Sequence, residues 1–214
     1  MTLRRWNRRF ALGMALLGLA CGGDGGGTQP PGPPADLVKS GGDGQSWYFN
    51  NPLPTALSVT AVDVDGRAVP GVVIMWAVAS GGGSVTPTQS TTNANGVATT
   101  TDSIGGSTIQ MVNATFTGLA GPVSFTEQAT TPPTAAAVNV GDNFFDKASV
   151  VVQVNSAVTW TWTGQVGHSV TFTGGPDSGV QPSGTFQRTF TSTGVFNYFC
   201  KVHGGMTGSV TVVH

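Results

Sequence analysis

Charge is scarce in this sequence. Asp, Glu, Lys and Arg fill 9% of its 214 positions, against about 25% in ordinary globular domains. Four of the nine basic residues, Arg4, Arg5, Arg8 and Arg9, crowd the start; without them five basic residues face ten acidic ones, a balance of −5. A chain with no basic patch is a poor candidate for nucleic-acid binding. Helical periodicity is missing too: past residue 20 no apolar pattern repeats at 3.6 residues, so helical bundles are excluded. Histidine and cysteine are rare, at three and two. Metal or nucleophile chemistry therefore has very few possible addresses.

What is abundant is glycine, at 32 residues, together with Thr, Ser and Val. Short alternating apolar runs separated by Gly, Pro, Asn and Asp read as strands and turns. The length allows one large domain or two small ones. An all-β protein is expected.

Residues 1–20 have the parts of an export signal. Arg4 to Arg9 supply the positive region, and Phe10-Ala-Leu-Gly-Met-Ala-Leu-Leu-Gly-Leu-Ala20 the apolar one. That run of 11 residues is too short for a bilayer span, which needs about 20. Leu17-Gly18-Leu19-Ala20-Cys21 resembles a bacterial lipoprotein signal, which implies that Cys21 is lipidated. Gly18 stands where the family pattern has Leu; an ordinary signal cleaved near Ala20 is the alternative. Residues 21–34, rich in Gly and then Pro, read as a tether. Gly22 after the cysteine leans toward outer-membrane sorting. The product is expected outside the cytoplasm, anchored by lipid and facing the periplasm or the cell surface.

Residues 35–131 alternate strands and turns. Ala56 to Asp63 has period 2 and ends at the turn dipeptide Asp65-Gly66. Val72 to Val78 is a more continuous apolar run, read as a central strand with Trp76 as core plug. Gly81-Gly-Gly83 breaks the chain, Asn95-Gly96 reads as a hairpin, and runs at 108–116 and 123–129 bring the count to about seven strands. Three stretches, Leu57-Ser-Val-Thr-Ala-Val-Asp-Val-Asp-Gly66, Val69-Pro-Gly-Val-Val-Ile-Met-Trp-Ala-Val78 and Thr91-Thr-Asn-Ala-Asn-Gly-Val-Ala98, resemble the bacterial Ig-like domains of the invasin and intimin kind. The resemblance implies an Ig-like β-sandwich serving as spacer or docking module. The segment has no His, no Cys and no convergent set of acids or nucleophiles.

Thr131-Pro-Pro-Thr134 marks a boundary, because prolines break strand pairing. Beyond it come strand-like runs at 136–141 and 150–154, then Val158-Thr-Trp-Thr-Trp-Thr163. Strict alternation puts Val158, Trp160 and Trp162 on one face, read as core. Gly164 to His168 reads as a turn, 169–173 as the next strand and 174–184 as a polar loop. Strands at 185–190, 194–200 and 209–213 follow, with Phe196, Tyr198 and Cys200 on one face.

The chemistry is concentrated in Cys200-Lys-Val-His203-Gly-Gly-Met206. A thiol, an imidazole and a thioether at spacing C-x2-H-x2-M form a soft donor set that suits copper better than magnesium or calcium. Zinc rarely takes a thioether. A His2Cys site needs a second histidine, which His168 can supply from a loop. Cys21 and Cys200 thus have separate fates, and no disulfide is expected. His214, after the last strand, is expected in solvent.

Val158-Thr-Trp160, Gly167-His168, Gly194-x-Phe-x-Tyr-x-Cys200 and Cys200-x-x-His203-x-x-Met206-x-Gly208 together make residues 135–214 resemble the cupredoxins, in the plastocyanin, amicyanin and pseudoazurin branch. The resemblance implies a Greek-key β-sandwich or barrel holding one type 1 (blue) copper on His168, Cys200, His203 and Met206. It implies an electron carrier and no enzyme: four protein ligands leave no position for a small-molecule substrate. A redox protein, a cytochrome or a copper oxidase, would be the partner. Alternatives are a surface adhesion protein working through the Ig-like segment and a copper capture or delivery protein. Val202 replaces a common proline, Ser169 an asparagine that bonds to the cysteine loop, and Asp146-Lys147 part of a Phe-x-Pro run. Loop rigidity and redox potential are the properties these departures touch.

Overall fold

The computed structural model describes residues 29–214. The expected export signal, the lipidation site Cys21 and the first part of the tether lie outside the described residues. Among the described residues every regular element is a strand, as low helical periodicity and β-branched content dictate. Residues Pro31–His214 form one compact unit containing two separate apolar cores.

The first core lies between two sheets. Their strands are β1 (Asp36–Gly41), β2 (Ser46–Tyr48), β3 (Leu57–Val62), β4 (Val73–Ser80), β5 (Gly83–Thr86), β6 (Gln89–Thr91), β7 (Val97–Ile104), β8 (Ile109–Thr115) and β9 (Val123–Thr130). The orders are β1-β3-β7-β5 and β2-β9-β8-β4-β6. Alternation sends Leu57, Val59 and Ala61 inward. Trp76 is buried as expected, its Nε1–H donating to Ser90 Oγ at 2.8 Å.

The run 72–78 forms an inner strand, β4, between β8 and β6 as expected; Ile74 and Trp76 face the core, while Val73 and Met75 are 44% and 45% exposed. Only one face of that sheet meets the other sheet, so the outward residues of β4 stay in solvent. Asn95-Gly96 does turn the chain, with the Gly96 N–H donating to Asn93 O at 2.9 Å and Gly96 at φ +72°. The turn nevertheless does not close a hairpin, since β6 and β7 belong to different sheets.

The second core is enclosed by β10 (Ala135–Gly141), β11 (Phe144–Phe145), β12 (Ser149–Gln153), β13 (Ser156–Trp162), β14 (Thr171–Phe172), β15 (Thr185–Phe190), β16 (Gly194–Phe199) and β17 (Thr207–Val213). Its sheets run β11-β10-β13-β15 and β12-β17-β16-β14. Val158, Trp160 and Trp162 share the buried face of β13, and Tyr198 and Cys200 are buried from β16 and its end. Trp160 packs edge-on to Phe172 and Tyr198, at ring-centre distances of 5.7 and 5.2 Å.

The strand expected at 169–173 shrinks to the two residues of β14, which pairs with β16. The backbone just before it is engaged elsewhere: His168 exchanges two 3.0 Å hydrogen bonds with Gln181, and Ser169 N–H points at Cys200 Sγ. Residues 163–170 therefore carry the chain from one sheet to the other, which brings His168 beside the end of β16.

Asn51, buried in the first half, joins the two parts. Its Oδ1 accepts the His214 N–H at 2.9 Å, and its Nδ2 donates to Phe49 O at 2.7 Å and to His214 O at 3.3 Å.

The first core also holds two acids. Glu127 is fully buried and Asp102 nearly so; both carboxylate oxygens of Glu127 and Oδ2 of Asp102 have no hydrogen-bond partner in the protein. Burial pushes Asp102 up to about 6. Glu127 rises to about 7, through burial first, then the charges of Asp102 and Asp43, with Lys39 opposing. Each folded-state value exceeds the ordinary value of 3.8 or 4.5, so the unfolded chain releases its protons first as pH rises.

Two outcomes follow for the fold. Stability of the first sandwich should fall as pH rises from 3.8 to about 7 and level off above; denaturant midpoints across this range check it, and Glu127→Gln should reduce the slope to the share of Asp102. Trp160→Ala should cost the second sandwich about 3–5 kcal/mol, read from its guanidinium unfolding midpoint.

Candidate metal centre

Three of the four residues singled out from the sequence bring donor atoms together. His168, Cys200 and His203 each offer one atom, all within 4.8 Å of one another. The two Nδ1 atoms are 3.0 Å apart, and each lies 3.8 Å from Cys200 Sγ. Bonds of about 2.0 Å to imidazole and about 2.3 Å to thiolate require donors about 3–4 Å apart, so this cluster fits a single metal ion. His168 is fully buried, Cys200 is 4% exposed, and His203 is half-buried.

Met206 is buried in the same core cluster as Cys200. Its backbone closes the ligand loop: Met206 O accepts the Cys200 N–H at 2.9 Å, and Met206 N–H donates to His203 O at 3.3 Å. Gly205, at φ +86°, supplies the left-handed residue that so tight a return demands. His214 is exposed and takes part through its backbone in the Asn51 joint, away from this cluster.

The thiol of Cys200 is free and primed to ionise. Burial alone would raise its pKa, but the N–H groups of Ser169 and Val202 and the rings of His168 and His203 outweigh it, lowering the value from 9.0 to about 6. A thiolate ligand needs that stabilisation. Val202 contributes an N–H that a proline in its place would lack.

Ser169 makes the cross-loop link in place of the asparagine of the family pattern. Its N–H donates to Cys200 Sγ at 3.4 Å, and its Oγ accepts the Lys201 N–H at 2.9 Å. Thr171 Oγ1 lies 3.0 Å from Ser169 Oγ and gives its own proton to Asp177 Oδ1 at 3.0 Å, so Ser169 is the donor between the two hydroxyls. Asp177 Oδ2 is paired with Lys201 Nζ. The contacts close a ring, Asp177 to Thr171 to Ser169 to Lys201 and back, that ties the histidine segment to the cysteine loop. The shorter serine still reaches because residues 169–171 run directly beside 199–201.

Asp142 is the site residue that sequence reasoning missed. Its Oδ1 accepts the N–H groups of Gln165 at 2.8 Å and Val166 at 3.1 Å, and lies 3.5 Å from His168 Nε2. Asp142 sits 26 positions upstream of His168, and no spacing rule connects them. The available signal was an acid at the end of β10, which pairs in parallel with β13 and so ends beside the loop leading to His168.

Ser169→Ala should leave the Lys201 N–H without its acceptor and cost about 1 kcal/mol. Faster amide exchange at Lys201, with the midpoint of unfolding lowered accordingly, checks this.

No family model matches the chain. Among curated proteins it is similar to amicyanin-alpha of Methylorubrum extorquens, 30% identical over 107 residues that cover 47% of this chain and 88% of the relative. Solved structures similar to it include the purple cupredoxin of Nitrosopumilus maritimus, at 23% identity, 36% of this chain, 99% of that one and a TM-score of 0.32. A reduced Cu(I) form of an amicyanin mutant is similar at 27% identity, 37% of this chain, 82% of that one and a TM-score of 0.35. Scores this low add nothing to what the strand orders already establish. The sequence relative is covered over most of its length, and on that ground the chain, through its second sandwich, belongs to the amicyanin-like cupredoxins.

Proposed function

We propose that this protein is an exported, lipid-anchored blue-copper electron carrier, with His168, Cys200, His203 and Met206 as copper ligands. The observation that carries the reading is the convergence of two imidazole Nδ1 atoms and one thiolate-prone Sγ at 3.0 to 3.8 Å. Membership of the amicyanin-like cupredoxins supports copper over zinc, as does the buried thioether of Met206.

Bound copper supplies a one-electron couple between Cu(I) and Cu(II). The chain's own residues supply the rest. His168 and Cys200 are fixed from two separate segments by the ring through Ser169, which limits how far the ligands can rearrange between oxidation states. His203 is the ligand nearest solvent and is the point where electrons would enter and leave. Val202, its neighbour in sequence, is exposed, as are Val166 and Val180 beside Gly167, and Lys201 is neutralised by Asp177. Such a rim favours an apolar contact with a redox protein, a cytochrome or a copper oxidase, over long-range electrostatic steering. We place the protein on the periplasmic or outer surface of a membrane through Cys21, assign it no catalytic turnover of its own, and give residues 35–131 the part of an Ig-like spacer.

Copper(II) added to the purified chain should produce an intense blue charge-transfer band and a narrow copper hyperfine splitting. A colourless or weakly absorbing adduct would overturn the reading. Cys200→Ser should abolish the band, and Met206→Gln should keep copper while shifting the reduction potential.

A further inference from the structure

We infer that Asp142 is the residue that positions His168 as a ligand and biases the centre toward its oxidised state. The second half of this assignment rests on the copper reading above; the first half does not.

His168 is a buried imidazole with two ring nitrogens and, when neutral, one proton. Its Nδ1 faces Cys200 and His203 and must be bare to bind a metal. The proton then belongs on Nε2, which water does not reach because the side chain is fully buried. The acceptor that faces Nε2 is Asp142 Oδ1, at 3.5 Å. Without it the N–H would be orphaned inside the protein, at a cost of about 1–3 kcal/mol.

The carboxylate is placed there independently of the histidine. The same oxygen takes the N–H groups of Gln165 and Val166, two and three residues before the ligand, so the loop that presents His168 is folded around it. Gly164 completes the cradle, since a Cβ at that position would stand 2.2 Å from Asp142 Oδ1. Asp142 pairs with no lysine or arginine among the described residues. The N–H groups of Gln165 and Val166 fix its oxygen in place, and an aspartate at its ordinary value is anionic at neutral pH. An anionic acceptor on Nε2–H makes Nδ1 a stronger donor and stabilises the more highly charged metal state.

The test uses the full chain, the variants Asp142→Asn and Asp142→Ala, and two readouts. In metal-free protein, long-range proton–nitrogen NMR should find His168 as the Nε2–H tautomer. Asp142→Asn, which retains an oxygen acceptor, should keep that tautomer, whereas Asp142→Ala should lose it. With copper, Asp142→Asn should weaken Cu(II) binding about tenfold more than Cu(I) binding, a rise in potential of about 59 mV.

An Nδ1–H tautomer in the parent chain, or an unchanged tautomer in Asp142→Ala, would overturn the positioning role. An unchanged potential in Asp142→Asn would overturn the redox bias. If Asp142→Ala fails to fold, the parent tautomer and the Asp142→Asn potential still decide both halves. A parent chain that binds no Cu(II) would end the copper reading, and the metal-free spectra would still judge the positioning role.

Discussion

The centre depends on one constraint: His168 has no access to water. A buried imidazole must have a use for both of its nitrogens, and the surrounding chain is arranged to give it two. On one side stand Cys200 and His203; on the other stands Asp142. The backbone of His168 is bound as well, to Gln181 in both directions, and Trp162 Nε1–H donates to its carbonyl at 3.1 Å. The ring therefore has little freedom to turn away. The crossing from β13 to β14, the cost of which is a strand cut to two residues, is what delivers this histidine to the end of β16.

Much of this was legible in the sequence. Alternation at 158–162 gave the buried face of β13 directly, because one side chain in two must face the core. The Cys200 to Met206 spacing named its own chemistry, since few residue types bind soft metals and these fall within one loop. What stayed hidden depends on sheet partnership. Asn95-Gly96 and the segment 163–170 are both turns, and turn chemistry specifies a reversal without saying which sheet receives the next strand. Asp142 escaped notice for the same reason. Its relation to His168 exists only because β10 and β13 run parallel, and a parallel neighbour leaves no mark in local sequence.

The first sandwich follows different rules. It offers no donor cluster, and its outward face on β4 carries Val73 and Met75. Its unusual feature is the burial of Asp102 and Glu127 with carboxylate oxygens left unpaired, a setting that penalises their charged forms. The second sandwich also leaves buried polar atoms unpaired, Trp160 Nε1 and Gln181 Nε2, but the side chains of His168 and Ser169 both have partners. In the first, burial raises the proton affinity of both carboxyls, so they take on charge only as pH approaches about 6 and about 7.

The closed path from Asp177 through Thr171 and Ser169 to Lys201 has a dynamical consequence. A thermal displacement of the histidine segment is passed to the cysteine loop, and the reverse, because each holds the other at two points. Motion shared by both loops is common-mode: it shifts the donor atoms together and leaves their separations as they were. Only differential motion could spread the cluster, and that is the motion the ring resists.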